Sequence, residues 1–64
     1  MNSFERDKQA IQGGDTIEVM KRRKVQITTL ETKLGREKNT FRASIIAYQL
    51  EERRTEYAAL DALI

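Results

Sequence analysis

Sixty-four residues, 34% of them charged and 39% hydrophobic, with a net charge of +2, allow one domain at most and a core of only marginal stability. The chain has no Cys and no His, which excludes disulfide staples, thiolate zinc sites and imidazole catalysis, so it reads as non-enzymatic, with no catalytic, metal-binding or cofactor-binding residue to nominate. There is no apolar run of membrane-spanning length, and Met1–Asp7 lacks the apolar centre of a signal peptide; the expected setting is cytoplasmic, without a membrane partner.

The absence of Pro and the frequency of Glu, Lys, Arg, Leu and Ala predict an all-α chain. Residues 1–14 read as a flexible tail, because Phe4, Ala10 and Ile11 are too few to build a face and Gly13-Gly14 reads as a flexible break; the alternative is a short docking helix that folds on a partner. Asp15 stands where an N-cap belongs, with Glu18 three residues later to complete a capping box, so a helix is expected over about 15–35. Its apolar positions are Ile17, Met20, Ile27, Leu30 and Leu34; Val19 and Val25 lie off that stripe, and Lys24 stands where an apolar residue would continue it. Lys33 and Gly35 are stop signals.

Asn39 or Thr40 can cap a second helix over about 40–64. Met20, Ile27 and Leu34 form one heptad series and Ala43, Leu50, Tyr57 and Ile64 another, two residues out of phase with it. At about 100° per residue, a two-residue shift turns the stripe by roughly 200°, so one straight helix cannot present both to a single partner. An antiparallel helical hairpin over 15–64, turning between Gly35 and Thr40, satisfies both. Phe41, Ile45 and Tyr48 add a second stripe to the later helix, and a helix with two stripes has two neighbours to satisfy. The expectation is a homodimer of hairpins forming a four-helix bundle, with Ile46, Leu50, Arg53, Tyr57, Leu60 and Ile64 at the oligomer interface and Arg53 setting register.

Charge is unevenly spread. Residues 15–42 carry +4 and residues 43–64 carry −2, which suits antiparallel pairing of a basic with an acidic segment. Lys21-Arg22-Arg23-Lys24 is the most basic run and the candidate contact for a polyanion or an acidic protein; Arg22 and Arg23 are expected to be exposed. The four sweep more than one helical turn, so only two or three can face one groove. Glu51, Glu52 and Glu56 sit beside Arg53 and Arg54 and read as a salt-laced surface.

Two resemblances follow. Leu30–Gly35 with Asn39-Thr40-Phe41-Arg42 resembles a helix-turn-helix, which implies Asn39, Thr40 and Arg42 near bases or phosphates; Glu31 and Arg36 depart from that pattern by placing charge in the helix crossing. In size, hairpin pattern and lack of catalytic residues, the chain resembles the small helical early-region accessory proteins of lambda-like temperate phages. That resemblance implies a self-associating interaction module that regulates or inhibits a host protein. The alternative is a small helix-turn-helix-like or basic-helix nucleic-acid-binding protein using Lys21–Lys24, Arg36, Lys38 and Arg42.

Overall fold

The structure, a computed structural model that describes residues 2–64, is all-helical, with α1 at Ser3–Gln12, α2 at Thr16–Arg36 and α3 at Thr40–Asp61. It has three helices where the sequence predicts a tail and a two-helix hairpin. The described part of that tail is a helix; Met1 lies outside the described residues.

Helix α1 forms because both of its ends are capped. Asn2 accepts from the Glu5 amide at 2.8 Å, and Glu5 adds a negative charge to the first turn. At the other end Gly14 adopts φ +103°, the amide of Gly14 donates to the Ile11 carbonyl at 3.0 Å, and the amide of Asp15 donates to the Ala10 carbonyl at 2.9 Å. Those two bonds are a Schellman motif, with Gly14 in the left-handed position that favours glycine. Gly13-Gly14 is therefore a defined helix stop. The expected capping box is absent: the Asp15 amide, from which Glu18 would accept, donates to Ala10, and the Asp15 side chain makes no capping hydrogen bond.

Beyond Gly35, which lies inside α2, the helix runs on to Arg36; Glu37–Asn39 then turn the chain. Asn39 caps α3 by accepting from the Arg42 amide at 3.0 Å, while its own amide donates to the Glu37 carboxylate. Contacts between α2 and α3 couple early residues to late ones. Arg23 meets Glu56, Lys24 lies over Tyr57 and Glu31 meets Arg54, so the two helices run antiparallel side by side. Helices of a helix-turn-helix instead cross at roughly 90–120°. Asp7 pairs with Arg22 and Arg23 from a helix that ends just before α2 begins, so α1 runs back along the first half of α2.

The core sits at that three-helix end. Ile11, Val19, Met20 and Leu60 are buried together, with Phe4, Ala10 and Tyr57 packed around them, while Ile27, Ile46 and Leu50 are buried farther towards the turn. Val19, read as off the stripe, is inside because it faces α1; Ile17, read as on it, is exposed. The residues expected at an oligomer interface are mostly used within the chain. Ile46, Leu50 and Leu60 are buried, Arg53 and Tyr57 are half-buried, and Ile64 is 68% exposed because α3 ends at Asp61.

Candidate functional site

Between Met20 and Ile27 the helical stripe of α2 passes through Arg23, and between Phe4 and Ile11 that of α1 passes through Asp7. Both are charged and both are inside. The Arg23 side chain is 3% exposed and that of Asp7 5%; Arg23 Nε donates to Asp7 Oδ2 at 2.7 Å and Nη1 to Glu56 Oε1 at 2.8 Å. One guanidinium thus ties α1 and α3 to α2. Burial works against the charged form of Arg23, but the hydrogen bonds and charges of Asp7 and Glu56 outweigh it, and its pKa is raised. The contribution of a group with a raised pKa is present below the unfolded value and lost as pH climbs through the folded one. For an arginine both lie above ordinary working pH, so the cation persists. Among the described residues, no buried side-chain polar atom lacks a partner.

The network disperses the basic run. Arg22 Nη2 donates to Asp7 Oδ1 at 2.6 Å, Arg23 is buried against two carboxylates, and Lys24 Nζ lies 5.7 Å from the centroid of the Tyr57 ring. Only Lys21, Arg22 and Lys24 remain exposed. Arg53, read as a register-setting residue, donates Nη1 to Glu56 Oε1 at 3.0 Å on its own helix, with a longer contact of 3.5 Å to Glu52; Arg54 pairs with Glu31 at 2.7 Å. Asn39 is engaged as a cap, and Thr40, Phe41 and Arg42 are exposed at the start of α3.

The outer face of α3 carries what the fold leaves uncovered. Phe41, Ile45 and Tyr48 follow at i, i+4 and i+7 and are 74%, 46% and 73% exposed. The same face continues through Glu52 and Thr55, where a shallow cleft of about 250 Å³ opens beside Tyr48 and Glu51. The Arg36, Lys38 and Arg42 side chains are exposed around the turn. The face therefore changes character along its length: basic at the turn, apolar in the middle and acidic beyond. Other exposed large apolar side chains, such as Ile17 and Val25, fall elsewhere on the surface.

Among the described residues, no group of three or more Asp or Glu side chains converges as a metal site, and no helix is long and apolar enough to cross a membrane. Compared with known protein families, curated proteins and solved structures, the chain matches none.

Proposed function

We propose that this protein is a non-enzymatic interaction module that acts by binding another protein chain through the outer face of α3, in the manner that its resemblance to small phage accessory proteins implies. The observation that carries this reading is the stripe of Phe41, Ile45 and Tyr48. Three large apolar side chains stand exposed in a row on one helix, whereas Ile17 and Val25 are exposed singly elsewhere on the surface. Scattered surface apolar residues need no explanation, but a contiguous row on one rigid helix is the form of a helix-packing surface. The nucleic-acid alternative has less support, because its basic run is divided between a buried network, an aromatic contact and solvent.

A photo-crosslinking residue placed at position 45 in cells, with position 17 as an exposed apolar control, tests this. Adducts with protein chains are expected from position 45 and not from position 17. Adducts only with nucleic acid, or equal yields at both positions, would count against the reading.

A further inference from the structure

We propose that the outer face of α3 is covered by a second copy of the same chain, packed antiparallel across a twofold axis between Ile45 and Tyr48. The inference rests on the reading of this face as the working surface and adds the identity and direction of its partner.

Charge order selects that partner. Exposed charges border this stripe: Lys38 and Arg42 at the turn end, with Arg42 on its flank about 100° round from Phe41, and Glu51 and Glu52 beyond Tyr48, with Glu52 in line with the stripe. The two cations of the acidic half are engaged within the chain. Arg54 is held by Glu31 at 2.7 Å, and Arg53 by Glu56 at 3.0 Å. A surface with opposite charges at its two ends and apolar side chains between them is its own complement when turned end for end. In a twofold interface, whatever residue i meets, its partner meets in return. Centring the axis between Ile45 and Tyr48 sets Ile45 of each copy against Tyr48 of the other. It also brings Arg42 of each to within one residue, about 1.5 Å of rise, of level with Glu52 of the other, well inside the reach of two long side chains. Two ion pairs then flank one apolar centre. A parallel arrangement would place Arg42 beside Arg42 and Glu52 beside Glu52, where like charges repel. Glu52 is available for this exchange because it is exposed, and its contact with Arg53, at 3.5 Å, is the longest ion pair among the described residues.

The surface is short. Phe41 to Thr55 spans about 21 Å of helix, so the dimer should be reversible in the micromolar range and not obligate. That suits a chain whose three-helix core is already closed within one copy.

The test uses the symmetry. Sedimentation across a concentration series compares the wild type, Arg42→Glu, Glu52→Arg and an equimolar mixture of the two variants. Each single change creates two like-charge contacts in its own homodimer and should weaken it by about tenfold or more. In the mixture, the carboxylate introduced at position 42 of one variant meets the guanidinium introduced at position 52 of the other, and the native Arg42 and Glu52 that remain meet each other. Association should therefore return to near the wild-type level. All substituted positions are exposed, so circular dichroism should show unchanged helix content. A wild type that stays monomeric up to about millimolar concentration overturns the proposal. So does a dimer that the single changes leave intact or the mixture fails to restore. A Tyr48→Lys variant separates the two levels: if it dissociates a dimer that the charge changes leave intact, α3 is the working surface but the register is wrong. If the dimer survives Tyr48→Lys, it forms through another face and this proposal fails, while the reading of α3 as the working surface is decided by the crosslinking at position 45.

Discussion

Arg23 and Asp7 meet inside the three-helix end of this protein, Nε to Oδ2 at 2.7 Å, joining α1 to α2 beside the apolar cluster of Ile11, Val19, Met20 and Leu60. Both belong to heptad-like stripes whose neighbours are apolar, Phe4 and Ile11 for Asp7, Met20 and Ile27 for Arg23. A buried pair of this kind adds little over well-packed apolar residues, but removing one partner leaves the other charge buried and uncompensated.

Asp7→Ala should therefore destabilise the fold by about 3 kcal/mol, most of what a domain of this size has. Loss of α1 should be seen first, as fast amide exchange over Ser3–Gln12 in hydrogen-exchange measurements, with urea unfolding reporting the free-energy change. Replacing Asp7, Arg23 and Glu56 together by Leu, Met and Leu should restore or exceed wild-type stability. If Asp7→Ala costs less than about 0.5 kcal/mol, the network is not what docks α1.

Arg22 and Arg23 are neighbours in a run that looks uniform in sequence, yet they should behave differently. Arg23→Glu would add a third carboxylate beside the buried Asp7 and the half-buried Glu56 and should prevent α1 from docking. Arg22, with its side chain half exposed, should tolerate the same change at a cost of about 1 kcal/mol. Thermal melts of the two single variants decide it, and similar melting temperatures would show that Arg23 is not buried between the two carboxylates.

The glycines should divide by sign. Gly14 sits at φ +103°, so Gly14→Ala forces a side chain into the left-handed region and should lower stability by about 1 kcal/mol. Gly35 lies within α2 with open space where a Cβ would go, and Gly35→Ala should raise stability by about 0.5–1 kcal/mol. Denaturant midpoints measure both. The same sign at both positions would contradict the assignment of Gly14, and not Gly35, as the glycine on which a helix end depends.

Much of the second and third helices is legible in the sequence. The out-of-phase series separates α2 from α3, and Asn39 marks the start of the latter. Helix α1 is hidden because its stripe has a carboxylate at its centre. Phe4, Asp7 and Ile11 have helical spacing, and Asn2 with Glu5 has the pattern of a helix start, but a charged middle position makes the face look too poor to bury. The same effect sets the apparent gap of α2 at Lys24, although Arg23 is the residue that takes the inward position. Val19 looks misplaced on its helix because its neighbour is α1, and a two-helix hairpin offers nothing on that side for it to face.

Helical character and the divisions of α2 and α3 follow from the chain alone, because periodicity, caps and turn residues act over a few neighbouring residues. Tertiary structure decides which charges go inside and which apolar residues stay out. The burial of Arg23 depends on two carboxylates 16 and 33 residues away, on different helices, and no local pattern carries that information. It also decides the fate of the two stripes on α3. Ile46, Leu50 and Leu60 are taken by the core of the chain itself, which leaves Phe41, Ile45 and Tyr48 on the outside. Which stripe faces inward depends on how the neighbouring helices pack against α3, and a period of 3.6 residues does not choose between them.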